Sequence, residues 1–566
     1  MYIQAGNNSL VYTIKDRCRV CYTCVRECPA KAMKIVNGQA EVIGERCIAC
    51  GNCVKVCSQG AKAFHFSIND VETLLNSSNT VVACIAPSFP AEFSEFSDFR
   101  VFVGMLKKLG FEFVVEVAFG ADLVANAYKN IIQNSSSEVL ISSDCPAIVY
   151  YIKHYHPGLV GLLAPVISPM IAIARVVKKL YKGSKVVFIG PCIAKKAESD
   201  EVDEVLTFSE LRTILEKHDV NNQHITPSDF DPPFAGKGAI FPVSRGLLEN
   251  ITVSDSIIDG NVFVAEGKAK FQDAINELEK GTIKTKHLEL LCCEGCIMGA
   301  GMSKNGKRFE RKHRISEYAR DKMRMLNMEE WHRQMSNFSG LELSTKFEAA
   351  DRRFEIPSDI KLQEILHKMG KHADSDHLNC GVCGYPTCFE HAVAILEGLA
   401  EDEMCLPYTI EKLHKSIEEL NLSNEKLANT REALKQSEKL ASMGQLSAGI
   451  AHELNNPLGV ISLHSNILKD RIKEADPSKE SLELIVEHAD RCKKIVSGLL
   501  NFARKNQLKL QEIDIEEHVR KSFSSVIIPE NIVLSFKSNL QDRNILIDPD
   551  QMMQVLINLE KNAIEA

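Results

Sequence analysis

Cys405–Pro457, CLPYTIEKLHKSIEELNLSNEKLANTREALKQSEKLASMGQLSAGIAHELNNP, decides how this chain is organised. Leu413, Leu420, Leu427 and Leu434 recur every seventh residue, with Ile410 and Ile417 on the complementary row. A narrow apolar seam with charge elsewhere is the pattern of a two-stranded coiled coil. Asn424, Arg431 and Glu438 continue the second row in polar form, which weakens the seam and makes the paired helices easier to shift. On the heptads alone, an inert spacer helix is an equal alternative. What favours a transmitter is the position of the two ends: Cys405 closes a four-cysteine motif, and His452 stands in the last turns.

Working back from Cys405, the run CGVCGYPTCFEHAVAILEGLAEDEMC spaces Cys380, Cys383, Cys388 and Cys405 as C-x2-C-x4-C-x16-C. It resembles a small [4Fe-4S] domain of electron-transfer and sensor proteins, with Gly381 and Gly384 letting backbone amides approach the sulfurs. Zinc is the alternative occupant. Loss of the cluster would unfasten the start of the coiled coil.

Working forward, SAGIAHELNNPL closely resembles the phosphoacceptor box of sensor histidine kinases. The resemblance implies that His452 accepts phosphate, Glu453 holds one ring nitrogen protonated, and Asn456 positions water for dephosphorylating a response regulator. A second helical stretch, roughly 478 to 505, follows as a helical hairpin requires, and two chains would pair into a four-helix bundle, a homodimer. The final DPDQMMQVLINLEKNAIEA resembles the first nucleotide box of the kinase ATP-binding domain. Asn558 and Asn562 share a helix face, Asn562 would help bind Mg2+, and Lys561 would lie near phosphate. The family's later glycine-rich boxes are absent from this sequence. The expectation is therefore that this chain alone binds ATP weakly or not at all and cannot phosphorylate itself.

At the other end, CRVCYTCVRECP and CIACGNCVKVCS each have C-x2-C-x2-C-x3-C spacing, which wraps three thiolates round one cubane and sends the fourth to its neighbour. Cys18, Cys21, Cys24 and Cys57 would hold one cluster, and Cys47, Cys50, Cys53 and Cys28 the second. The pair resembles bacterial two-cluster ferredoxins, with Ser58 in place of the usual proline.

Between these ends the β-rich runs VVACIAP, FEFVVEVAF, EVLISSD, KVVFIGP and GAIFPVS alternate with helical stretches, the pattern of an α/β domain with largely parallel sheet. Three loops carry chemistry: Ser142–Pro146, Gly190–Lys196 and Leu291–Cys296. Together they resemble the signature loops of the [FeFe]-hydrogenase catalytic domain. The resemblance implies that Cys145, Cys192, one of Cys292 or Cys293, and Cys296 bind a cubane. Cys296 would also bridge to a diiron centre bearing carbonyl and cyanide, the rest of an H-cluster, with Lys195 donating to a cyanide.

Three departures from that family bear on activity. Asp144 stands where catalytic members have a proton-relaying cysteine, and a carboxyl near pKa ~3.9 does not relay like a thiol near ~8.5. Gly190 replaces a usual methionine, and the third loop reads Cys-Cys-Glu-Gly-Cys, with Cys292 the formal match and Cys293 open. Impaired turnover is expected, as suits a sensory branch of the family.

The 19 cysteines fall in short-spaced clusters, unlike a secreted disulfide framework, and the N-terminus carries no basic-then-apolar secretion signal, so a reducing cytoplasm is expected. With 75 acidic against 67 basic residues, nothing suggests nucleic-acid binding. The uncharged run from Gly158 to Ala174 is interrupted by prolines and reads as buried core, not a membrane span. Cys84 and Cys492 fit no cluster and are assigned to packing.

The fold class is multidomain α/β and α+β. The expected division is 1–66, ferredoxin module; 67–315, hydrogenase-like domain; 316–372, connecting region; 373–408, [4Fe-4S] domain; 409–440, coiled coil; 441–506, dimerisation and phosphoacceptor hairpin; and 507–566, partial ATP-binding domain. The leading functional expectation is a cytoplasmic redox- or H2-sensing histidine kinase of a two-component system, partnered by a response regulator and by a ferredoxin or hydrogenase subunit as electron donor or acceptor. The alternatives are a hydrogenase or electron-transfer enzyme with an appended kinase module, and a cubane scaffold without the diiron centre.

Overall fold

A computed structural model describes residues 9–36, 38–134, 139–221, 224–251, 261–354, 358–473, 477–503, 509–529 and 532–565. They fall into two compact units, Met1–Leu413 and His414–Ala566.

The first unit opens with two short antiparallel pairs. Strand β1 (Val11–Thr13) is joined across the module to a late strand, β2 (Met33–Val36) pairs with β3 (Gln39–Val42), and β4 (Lys62–Phe64) is the partner of β1. Such a module is too small to build a large core of its own, and its apolar side chains share a core with the loops of the following domain, including Ile193, Ala194 and Cys292.

That domain holds two parallel sheets. The first contains β5 (Val81–Ile85), β6 (Phe113–Glu116), the later β8 and β9, in the order β6-β5-β8-β9. Strand β7 (Leu140–Ile141) lies in the second sheet, while β8 (Lys185–Gly190) and β9 (Glu204–Thr207) complete the first. Strands β10 (Val262–Glu266) and β11 (His287–Leu291) complete the second, in the order β10-β11-β7. Every residue of β5 and β11 is buried, as strands covered on both faces require. The cysteine loops follow β7, β8 and β11, so the carboxyl ends of two sheets supply one site.

The run GAIFPVS is not the expected strand. Lys237–Ile240 forms a 3-10 turn, because the Gly238 and Gly236 amides donate to the Asp122 carboxylate at 2.6 Å each. A Cβ at Gly238 would stand 2.0 Å from the Ala118 carbonyl oxygen, so the turn lies directly on the helix Val117–Asn134.

Residues 316–372 are more than a connector. Ala319 and Phe338 enter the main core, Trp331 donates to Asp122 at 3.1 Å, and Gln334 accepts from the Phe234 amide at 2.8 Å. The helices Arg308–Met325 and Met328–Asn337 thus brace the cavity-bearing domain. The Gly158–Ala174 run is buried core around a 3-10 segment and the helix Pro169–Leu180, and among the described residues no helix is long and apolar enough to cross a membrane.

The helix Leu406–Arg471 starts in the first unit and continues into the second, with Pro457 inside it. In the second unit it is followed by the helix Ser478–Ala503, tied to it by Lys469 and Glu483 at 3.2 Å. Strands β12 (Gln511–Asp514) and β13 (Asn544–Ile547) then pair antiparallel, beside the helices Ile515–Ser524 and Pro549–Glu565. Cys492, assigned to packing from the sequence, is exposed in the single chain.

Candidate functional site

The two halves of the ferredoxin-type module repeat each other in backbone as well as spacing. Val20 and Tyr22 in the first half, and Ala49 and Gly51 in the second, have φ of 51°, 56°, 56° and 72°. A β-branched valine in the left-handed region is costly, and successive turns of this kind aim backbone amides inward, forming a nest for an anionic group. The Ala32, Ala49 and Ala61 amides donate to the Cys28, Cys47 and Cys57 sulfurs at 3.3–3.4 Å.

Burial raises the Cys24 pKa, with Cys18, Cys21 and Cys57 near enough to add to the effect. Burial likewise holds Cys53 far up, assisted by Cys47, Cys50 and Cys28. These are the two quartets expected from the interlocked spacing. Sulfurs crowded in this way favour protonation in the absence of a cation, and iron bound to thiolates removes that penalty, so the residues fit iron–sulfur clusters.

Cys383 is raised by burial and then by Cys405, Cys380 and Cys388, which places the third quartet together. These four sulfurs line a small cavity with His391, Tyr385, Leu406 and Pro407. Cys405 also precedes the long helix directly, and its carbonyl accepts the Thr409 amide at 2.9 Å. It therefore occupies the N-cap position, where a residue's conformation sets the start of the helix.

In the α/β domain, Cys145 precedes the helix Pro146–Tyr155, Cys192 follows β8, and Cys296 opens a 3-10 turn after β11. Burial raises Cys296, with Cys145, Cys192 and Cys293 adding to it, and Cys293 itself is pushed up to about 12 by burial and then by Cys145. Cys292 has Cys50 of the ferredoxin-type module as its strongest neighbour, with Cys293 and Cys145 also acting on it. Cys293 acts on both Cys192 and Cys296, which favours it over the formal match Cys292 as the fourth member beside Cys145, Cys192 and Cys296. The Cys292 amide nevertheless favours the Cys145 thiolate.

Beside this quartet is a cavity of about 80 Å³, lined by Asp144, Lys195, Cys296, Met170, Phe188 and Pro242 among others. Asp144 Oδ1 and Ser88 Oγ are buried there with no hydrogen-bond partner among the described residues. Burial pushes Asp144 up to about 6, in part against the pull of Lys195. Burial disfavours the Lys195 charge, but the Glu198 carboxylate, 2.8 and 3.0 Å away, more than offsets this and keeps the ammonium form. An apolar chamber with a fixed cation, unpartnered polar atoms and a thiol at its edge fits a small anionic metal centre. Phe188 also explains Gly190: a Cβ there would stand 2.6 Å from the Phe188 ring and 2.9 Å from Ala86. The ring occupies the room that a larger side chain at 190 would need.

His452, Glu453 and Asn456 are exposed on the helix Leu406–Arg471, beside the buried Ala451. No hydrogen bond joins His452 to Glu453, because adjacent residues point about 100° apart round a helix. Asn558, Lys561 and Asn562 are exposed on the helix Pro549–Glu565. Among the described residues no three His, Cys, Asp or Glu side chains gather closely enough to hold a single metal ion.

Four families match successive parts of the chain. Residues 10–58 match the 4Fe-4S dicluster domain, and residues 79–300 match the iron only hydrogenase large subunit, C-terminal domain. Residues 376–407 match an Fe-S cluster family, and residues 442–508 match the His Kinase A (phospho-acceptor) domain. The chain therefore joins a hydrogenase-type domain, iron–sulfur domains and a histidine-kinase phosphoacceptor domain in one polypeptide.

The curated relatives it matches include the sensor histidine kinase ZraS of Salmonella typhimurium, 36% identical over 138 residues, 24% of this chain and 30% of that protein. Another is the sensor protein kinase PilS of Pseudomonas aeruginosa, 31% identical over 133 residues, 23% of this chain and 25% of that protein. The chain thus spans about 30% of the length of the first of these. Among solved structures, an [FeFe]-hydrogenase studied for oxygen degradation of its H cluster is similar at a TM-score of 0.41 and 17% identity, over 50% of this chain and 99% of that one. The apo [FeFe]-hydrogenase HydA1 from Chlamydomonas reinhardtii is similar at 0.39 and 16%, with the same coverage. The family matches, not these likenesses, carry the assignment.

Proposed function

We propose that the protein is an iron–sulfur sensor histidine kinase in which redox state, or hydrogen acting at the Asp144–Lys195–Cys296 cavity, biases phosphate on His452. The observation that carries this is Cys405: it belongs to the third cysteine quartet and is the N-cap of the helix that bears His452. A change of charge on an iron–sulfur group there acts on the positive end of the helix dipole and on its first turn.

The quartets at Cys18, Cys28, Cys145 and Cys380 would each hold a [4Fe-4S] cluster, and the cavity a diiron centre that supplies the hydrogen chemistry. Around it, Lys195 would hold an anionic ligand in place, Pro242, Met170 and Phe188 would exclude water, and Asp144 would hold a proton at Oδ1. The exposed Leu413, Leu420, Leu427 and Leu434 form an apolar stripe that suits a second copy of the chain, and a response regulator would take phosphate from His452. ATP and Mg2+ would serve the kinase step through Asn558, Lys561 and Asn562. The module divisions of the chain, from 1–66 to 507–566, follow the same reading.

If reduction favours one helix arrangement by about 2 kcal/mol, the coupled midpoint differs between arrangements by roughly 90 mV. The deciding experiment measures labelled phosphate on His452 from ATP, with a kinase catalytic domain supplied in trans to the fully loaded protein. Phosphorylation should change between oxidised protein and protein reduced by dithionite or H2. Equal labelling in every state, with His452→Gln unlabelled, would refute the reading.

A further inference from the structure

Two seams meet at the Cys28, Cys47, Cys50 and Cys53 quartet. On one side the contact with the hydrogenase-type domain is close: a Cβ at Gly51 would stand 2.6 Å from Ala300 Cβ and 2.7 Å from Ile193 Cδ1, beside the Cys192 loop. On the other side the chain reaches the third quartet. Lys31, held at φ 45°, donates from Nζ to the Gly384 carbonyl and lies 5.6 Å from the centre of the Tyr385 ring. A Cβ at Gly384 would stand 3.0 Å from the Arg26 nitrogen and from Val25 Cγ1. Arg26 donates to the Val382 carbonyl at 3.2 Å, and the Ile35 amide to the Leu399 carbonyl at 3.0 Å.

Tyr385 is the side chain common to both quartets. It is 4% exposed, and its hydroxyl has no hydrogen-bond partner among the described residues. The thiols that act most on it are Cys383 of the third quartet and Cys28 of the second. A buried O–H without an acceptor costs about 1–3 kcal/mol, and sulfur of an adjacent iron–sulfur group would supply the acceptor. Docking alone accounts for Lys31 and Gly384, but leaves the Tyr385 hydroxyl unexplained.

We propose that Lys31, Gly384 and Tyr385 form an electron-transfer seam, which makes the Cys28/Cys47/Cys50/Cys53 quartet the branch point between the hydrogenase-type cavity and the quartet that starts the helix Leu406–Arg471. The proposal rests on the sensor reading and names the route its signal takes. One electron leaves iron held by the Cys28 quartet, which is oxidised, and enters iron held by the Cys380 quartet, which is reduced. No iron–sulfur bond breaks and no proton moves. The electron comes from a low-potential one-electron donor or from oxidation of hydrogen at the cavity.

The test uses the complete protein, reconstituted with iron and sulfide and reduced with dithionite, and reads spin–spin coupling by electron paramagnetic resonance. The reduced Cys380-quartet signal should be broadened by its neighbour. Gly384→Val and Lys31→Glu leave every cysteine in place, and each should keep its iron and lose the broadening. A native protein without coupling, or iron-replete variants that retain it, would overturn the seam. If Gly384→Val loses iron, Lys31→Glu decides, and if both do, the native spectrum decides. Phosphate plays no part in this readout. Coupled clusters with a redox-indifferent His452 would overturn the sensor reading and leave the seam, while uncoupled clusters with a redox-responsive His452 would do the reverse.

Discussion

Cys292 and Cys50 are neighbours across the contact between the hydrogenase-type domain and the ferredoxin-type module. The adjacent Cys293 is nearer to Cys145 and Cys192, with Cys50 a weaker neighbour. Both cysteines lie in the bend that follows β11, where one pair of adjacent thiols stands between two groups of cysteines.

Substitution should separate the two. Cys293→Ser is expected to lose about one quarter of the iron of a protein with four cubanes, while Cys292→Ser keeps it. Iron and acid-labile sulfide per chain after anaerobic reconstitution are the measurement. The reverse pattern would return the ligand role to Cys292.

Phe188 and Gly190 should behave as a complementary pair. Gly190→Met drives a side chain into a ring 2.6 Å from its Cβ and should destabilise the domain by about 1–3 kcal/mol. Phe188→Ala combined with it should recover part of that loss, and a double-mutant cycle on thermal unfolding reads the coupling.

His287 gives a pH dependence with a defined sign. It is 1% exposed, and burial pushes it down to about 4 from an ordinary 6.5, with only the Leu140 backbone favouring the charge. The unfolded chain then binds the proton more readily, so this contribution is present above pH 6.5 and is lost as pH falls toward 4. Between pH 7 and 5 the loss is about 2 kcal/mol. Unfolding midpoints of the native protein and His287→Phe should diverge on acidification, with the variant the less sensitive.

Asp144 should limit hydrogen turnover once a diiron centre is inserted. Asp144→Cys is expected to raise H2 oxidation at least about tenfold, since a well-matched proton relay contributes about 10²–10⁴. Infrared bands of metal-bound carbonyl and cyanide in the matured protein establish the centre first, and their absence would leave the cubane scaffold as the surviving alternative.

The cysteine quartets were legible because ligand spacing is local: each half of the ferredoxin-type module carries its own three-thiolate turn. The three loops of the cavity were legible because they follow β-rich runs. What spacing could not show is which of two adjacent thiols a site takes once two domains meet, so Cys292 and Cys293 both stayed open. The stretch from Gly306 to His372 reads as charged and helical, and its helices at 308–337 are found, but their bracing role was hidden for another reason. Their core contacts are few, Ile315, Ala319 and Phe338, and the rest of their anchoring is polar, as in Trp331 on Asp122. The GAIFPVS run reads as β-rich by composition, yet the Asp122 carboxylate takes the amides a strand would have used.

Cys405 would have two duties, one toward the iron of the proposed cluster and one toward the backbone of the helix that follows it. Oxygen damage that strips metal from this sulfur and a genuine change in electron supply would then arrive at the histidine through the same turn of helix. Such a protein would report an injured cofactor and an oxidised one in a single language, and a cell using it would respond to air as it responds to want of reductant.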